Sequence, residues 1–149
     1  MSVECYYPIK LVEHEHNGQR TVVKEPAVSS LIFFHSTVPQ AEAVQKELEG
    51  HVILYRYRSS KHPAVIPDRE MNAFKMVTSG GNPDLEYLDA EAVNFKKGQR
   101  VRVTGGIFEG AEGYIQRIHG NKRLVVAIEG IVAVATSYIP SCFLQKIEP

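Results

Sequence analysis

Residues 96–128, KKGQRVRVTGGIFEGAEGYIQRIHGNKRLVVAI, constrain the fold more than any other stretch, because glycines separate short runs of alternating residues. Val101 and Val103 alternate with Arg100, Arg102 and Thr104, and a period of two sends the valines toward a core and the basic side chains toward water. Gly105, Gly106, Gly110 and Gly113 follow, as a turn requires where the backbone needs positive φ or close approach. Residues 114–118 resume the strand pattern and His119-Gly120-Asn121-Lys122 forms a second turn. Leu124, Val126 and Ile128 then alternate with Val125, Ala127 and Glu129, and Gly130 precedes an apolar run at 131–135. The spacing predicts a small twisted barrel, built for binding rather than catalysis.

The chain before residue 90 reads as mixed α and β. A strand is expected at 5–12, Asn17-Gly18 predicts a tight two-residue hairpin, and residues 21–24 supply the return strand, closed by Pro26. The apolar run Leu31-Ile32-Phe33-Phe34 has the character of a strand in the middle of a covered sheet. Thr37, with Pro39 in the first turn, opens a helix whose Val44 and Leu48 share one face and which Gly50 stops. Residues 52–57 read as another strand. Pro67-Asp68-Arg69-Glu70 starts a second helix that presents Met71, Phe74 and Val77 to a core, and residues 79–83 end it. A short strand at 85–88 and a linker at 89–94 lead into the barrel.

Composition narrows the function classes. The 149 residues carry 17 basic and 17 acidic side chains, so global charge gives no argument for a nucleic-acid or membrane partner. Residues 1–90 hold nine basic and twelve acidic side chains, a net of −3, whereas residues 91–149 hold eight and five, a net of +3. That asymmetry is compatible with a C-terminal module that touches phosphates. No apolar run approaches the ~18 residues of a spanning helix, and the amino terminus lacks a charged region followed by a hydrophobic stretch, so a cytoplasmic location is expected. Cys5 and Cys142 form no Cys-x-x-Cys pair and read as buried free thiols. His14-Glu15-His16 could offer zinc ligands, but no third ligand stands at suitable spacing, and a solvated hairpin tip is the better reading. With no paired acid and base, oriented nucleophile or phosphate loop, the expectation is no enzyme, no metal and no cofactor.

Gly98, the Val-Arg-Val strand, the Gly-Gly-Ile-Phe-Glu-Gly turn, Gly113 and the strand after it stand in an order that resembles the KOW motif of ribosomal proteins and NusG-type elongation factors. With the strand, hairpin, strand, helix, strand, helix order before it, the chain looks like a NusG amino-terminal (NGN) domain joined to a KOW domain. The resemblance implies an α+β fold: an NGN-like α/β sandwich, an antiparallel sheet with helices, at 1–90, then an SH3-like KOW β-barrel at 91–149. Ser29-Ser30, where the family has a glycine, and the later Val-Ala-Val-Ala strand look more like the UpxY-like antiterminators of capsule operons in gut anaerobes.

The function implied is a bacterial transcription elongation or antitermination factor. It would grip RNA polymerase through an apolar patch of Tyr7, Pro8, Val28, Leu31, Phe33 and Phe34. For the barrel two partner types are implied. Ile107 and Phe108 would form an exposed anchor for a ribosomal protein or termination factor, or Arg100, Arg102, Arg117, Lys122 and Arg123 would contact nucleic-acid phosphates with Tyr114 available for stacking. A ribosome-associated RNA-binding KOW protein is the alternative. One departure matters: the family domain begins with a strand bearing a Trp-Tyr pair and a helix, whereas this chain has no tryptophan and starts almost at the second strand. An unpaired strand edge seeks a partner, so a homodimer or strand swap is expected there.

Overall fold

The computed structural model describes residues 3–56, 61–89 and 98–148. Pro8 has no N–H to give a ladder, and the strand expected at 5–12 accordingly divides into β1 (Glu4–Tyr6) and β2 (Ile9–His16). β2 pairs antiparallel with β3 (Gln19–Pro26). The turn between them holds Asn17 at φ 52° and Gly18 at φ 78°, the two positive values a tight hairpin of this kind needs.

Among the described residues β4 (Phe33–His35) pairs only with β1, Tyr6 opposite Phe33 and Glu4 opposite His35. The ladder stops where the three-residue β1 stops, so the run at 31–34 stands in a two-stranded sheet and not in the middle of a covered one. α1 (Val38–Glu47) begins with a capping box: Thr37 Oγ1 accepts from the Gln40 amide at 3.3 Å, and Gln40 Oε1 accepts from the Thr37 amide at 3.1 Å. No α1 residue is buried. The strand expected at 52–57 does not form over its described residues, because the Val52 and Leu54 amides donate instead to Leu48 O and Gln45 Oε1.

α2 (Asp68–Thr78) sets Asp68 and Glu70 in its first turn, where carboxylates suit the positive end of the helix dipole. Its Phe74 and Val77 are fully buried, as the helical spacing predicts. The remaining strands are β5 (Glu86–Leu88), β6 (Gln99–Val103), β7 (Glu112–Ile118), β8 (Asn121–Ile128), β9 (Val132–Ala135) and, after a 3-10 turn at Ser141–Phe143, β10 (Leu144–Lys146). They form one antiparallel sheet in the order β10-β6-β7-β8-β9-β5. Gly113 is obligatory in β7, since a Cβ there would lie 2.4 Å from Val125 O.

The inward positions read from sequence, Val101, Val103, Leu124, Val126 and Ile128, are buried, but strict alternation stops in β8 and β9, where Val125, Ala133 and Ala135 are buried on the other face in a second cluster. The inward residues share one apolar cluster with Phe33, Phe74 and Val77, so the described residues on both sides of position 90 contribute to a shared core. Most of the linker expected at 89–94 lies outside the described residues, but β5, just before it, is already an edge strand of the C-terminal sheet, with Tyr87 opposite Val134. Polar ties cross the same seam. The Tyr55 hydroxyl donates to Gly130 O at 2.8 Å and the Glu129 amide donates to Glu70 Oε1 at 3.2 Å.

Candidate macromolecule-binding surfaces

The six apolar residues expected to face a partner divide between surface and interior. Tyr7 is half exposed, and Val28, Leu31 and Phe34 are partly covered. Pro8 and Phe33 are buried. Phe33 meets Phe74 of α2 edge-to-face, with ring centres 5.8 Å apart and an interplanar angle of 63°. A ring packed this way is core and offers no exposed face, which corrects the exposure expected of Phe33. Ile32, which carried no functional expectation, is exposed, and Ile53 is 90% exposed. The first half therefore does present apolar surface, displaced from Phe33 toward its neighbours.

Beside this surface, the Thr78 hydroxyl donates to Phe74 O at 2.8 Å, which leaves its oxygen to accept from the Tyr6 hydroxyl. Burial raises the Tyr6 pKa. Tyr87, on β5, has its hydroxyl buried with no hydrogen-bond partner among the described residues. Burial, with a smaller contribution from Tyr6, pushes its pKa up to about 12.

The turn after β6 also separates its two anchors. Ile107 is 78% exposed, whereas Phe108 is buried in the shared core, correcting the exposure expected of it. The backbone explains the difference: the Gly110 amide donates to Val103 O at 2.8 Å and the Ala111 amide to Phe108 O at 3.0 Å, folding the turn back so that Phe108 turns inward while Ile107 and Glu109 stay exposed. A cleft of about 160 Å³ opens beside it, lined by Ile107, Phe108, Tyr138, Ile139, Pro140 and Phe143. Gly105 lets the Phe143 ring lie close against the backbone at the cleft wall, since a Cβ there would stand 2.7 Å from Cδ1 of that ring.

The five basic residues named from sequence have different surroundings. Arg123 is committed to structure: its Nε donates to Thr136 O at 2.6 Å and its Nη1 to Glu86 Oε2 at 2.7 Å. His119 Nε2 lies 2.9 Å from Glu86 Oε1, and these contacts hold the Glu86 pKa below the usual carboxylate value. Arg117 and Lys122 are exposed and directly opposite each other across β7 and β8. Arg100 and Arg102 both reach Glu112, whose pKa is lowered chiefly by the hydrogen bond from Arg102. Arg69 of α2 joins them. Glu112 carried no functional expectation, and the folded turn between β6 and β7 fixes the register that sets it across from Arg102. Arg69 gave no signal either, because its approach depends on how α2 docks.

Cys5 and Cys142 are free and exposed, one on an edge strand and one in the 3-10 turn, not the buried thiols expected. His14 Nε2 lies 2.9 Å from Glu25 Oε1 across the hairpin. Among the described residues no group of three His, Cys, Asp or Glu side chains could hold a metal ion, and no helix is long and apolar enough to cross a membrane.

No family model matches the chain. It is similar to the transcription termination/antitermination protein NusG of Borreliella burgdorferi: 26% identical over 130 residues, covering 82% of this chain and 68% of that protein. The likeness therefore extends well beyond the glycine-rich segment.

Proposed function

We propose that this chain is a NusG-like transcription elongation or antitermination factor. The observation that carries the reading is the similarity to a termination/antitermination protein across four-fifths of the chain, a length that must draw on the residues before and after position 90. Residues 1–90 are the NGN-like portion and residues 91–149 the KOW-like portion, and the specialised UpxY-like branch is the finer assignment. RNA polymerase is the partner of the first portion. The exposed or half-covered Tyr7, Val28, Leu31 and Phe34 form the contact surface, while the buried Pro8 and Phe33 shape it from below. Exposed apolar side chains of this number are a feature of surfaces that meet another macromolecule. Ile107 and the cleft beside it form a second apolar docking point, for a protein partner. The edges of the two-stranded β1–β4 and β2–β3 sheets, which pair with no further strand among the described residues, also support pairing with a second copy.

The test is co-purification of bacterial RNA polymerase with the chain and with a Tyr7→Glu, Phe34→Glu variant, both checked for folding by circular dichroism. Retention by the parent and at least tenfold loss by the variant is the expected result. Equal retention, or none by either, removes the polymerase reading.

A further inference from the structure

The β2–β3 hairpin has one flanked edge and one open edge. β3 runs eight residues in unbroken register, and all of them except Glu25 are exposed. Thr21, Val22 and Val23 at its centre are β-branched and suit a strand paired on both sides, yet Val22 is 67% exposed. The β2 side is flanked by Gly81, beyond α2, where a Cβ would touch Leu11 Cγ at 3.6 Å and Ile9 O at 3.7 Å. Among the described residues no strand lies beside β3 on the side away from β2. A long, regular, uncovered edge is a template for another strand.

The phase of the ladder shows which backbone groups that edge offers. In a two-residue hairpin the closing pair, here His16 and Gln19, is of the hydrogen-bonded kind, and the Ala27 amide donates to Pro8 O at 2.8 Å in the same phase. Gln19, Thr21, Val23 and Glu25 therefore face β2, while Arg20, Val22 and Lys24 turn their N–H and C=O groups outward. In an antiparallel ladder outward residues stand opposite outward residues, so a two-fold axis relating two β3 strands passes through one residue and its own copy. With the axis at Val22, Arg20 meets the partner's Lys24, and with it at Arg20 or Lys24 each cation meets its copy, all repulsive. With the axis at Thr21 the overlap ends at Val23. With the axis at Val23, Val22 faces the partner's Lys24, Arg20 the partner's Pro26 and Thr21 the partner's Glu25, so nearly the whole strand pairs and no like charges are opposed. Val12 stands opposite Val23 within each hairpin, and one face then carries the apolar row Val12, Val23, the partner's Val23 and the partner's Val12. On the other face Val22 lies along the stem of the partner's Lys24 toward the partner's Leu11.

We propose that two copies of this chain pair antiparallel through β3, with Val23 on the two-fold axis, into one sheet in the order β2, β3, the partner's β3, the partner's β2. Val22 and the partner's Lys24 exchange both backbone hydrogen bonds, and Arg20 donates to the carbonyl of the partner's Pro26. Each copy spends its open edge, so the association closes at a dimer. One strand edge buries a small area, so the dimer is reversible and depends on concentration. It is the second-copy pairing proposed above, assigned to one edge and one register, and it does not depend on polymerase.

The experiment is sedimentation equilibrium of the full chain over a wide concentration range. The parent shows a reversible monomer–dimer equilibrium. Val22→Pro removes an outward N–H and leaves the β2–β3 ladder whole, and Val23→Lys sets like charges across the axis, so each raises the dimer dissociation constant at least tenfold. Circular dichroism and thermal melts check that both keep the parent fold. Cross-linking in a Cys5→Ser, Cys142→Ser chain reads the register without disturbing the edge. Val23→Cys falls in a non-hydrogen-bonded pair, with Cα atoms about 4.5 Å apart and within disulfide reach, and forms a linked dimer under mild oxidation. Val22→Cys, offset from its own copy, does not. A monomer at every concentration overturns this pairing and the second-copy reading together. A dimer that survives Val22→Pro and Val23→Lys overturns the β3 contact alone, and its loss in Phe34→Glu would place it at β1–β4. A disulfide from Val22→Cys and none from Val23→Cys overturns the register.

Discussion

Gly113 has no room for a side chain, since the Cβ that alanine would add meets a backbone carbonyl oxygen at 2.4 Å and the flanking Leu124 and Val126 side chains at 3.1 Å. Backbone cannot step aside as the end of a side chain can, so Gly113→Ala costs about 2–3 kcal/mol, read from the urea midpoint at unchanged m. Tyr87 makes the opposite case. Its buried hydroxyl has no partner among the described residues, and Tyr87→Phe removes that debt, raising stability by roughly 1 kcal/mol. The same substitution tests a pH dependence. Because the folded chain holds the phenol pKa near 12 against 10.0 in the unfolded chain, folding gains from Tyr87 are complete below pH 10.0 and decline as pH rises toward 12. The phenylalanine variant lacks that share of the alkaline decline, and identical alkaline limbs for the two chains would show that the phenol is not held up by burial.

At the scale of elements, α1 joins strong local signals to weak tertiary ones. It has a complete capping box but no buried residue, so its stability rests on its own first turn more than on packing. Thr37→Ala therefore costs about 1 kcal/mol locally, seen as faster amide exchange across α1 with little change in the global midpoint. A large global shift would mean that α1 is packed more firmly than its exposure implies. The same contrast explains what was legible beforehand. The Asn17-Gly18 hairpin, the Thr37 cap, α2 and the inward positions of β6 and β8 rest on local chemistry, and sequence shows local chemistry directly. Strand length at 31–34 and at 52–57 depends on whether a neighbour offers a ladder, and that information is not in the segment itself. The site divides in the same way. Arg100, Arg102 and Tyr114 follow from strand parity, but the burial of Phe33 and Phe108 and the arrival of Arg69 depend on where α2 comes to rest.

Across the whole molecule, α2 is the shared element, with Phe33 of β4 on its Phe74 and β8 packed along it. Phe74→Ala removes a ring with no exposure from the cluster common to both parts, at a cost of about 3–5 kcal/mol. One cooperative transition is expected, with amide protection lost together in β4 and β8. Earlier loss in β4 alone would show that the two parts fold independently. β5 carries a further consequence for anyone who would divide this protein. A cut between Leu88 and Gly98 at the conventional border leaves β5 with the wrong fragment and strips β9 of its neighbour. The isolated C-terminal piece would then carry a raw backbone margin along its Ala-Val-Ala row, and self-association of that piece through β9 would be an artefact of the scissors.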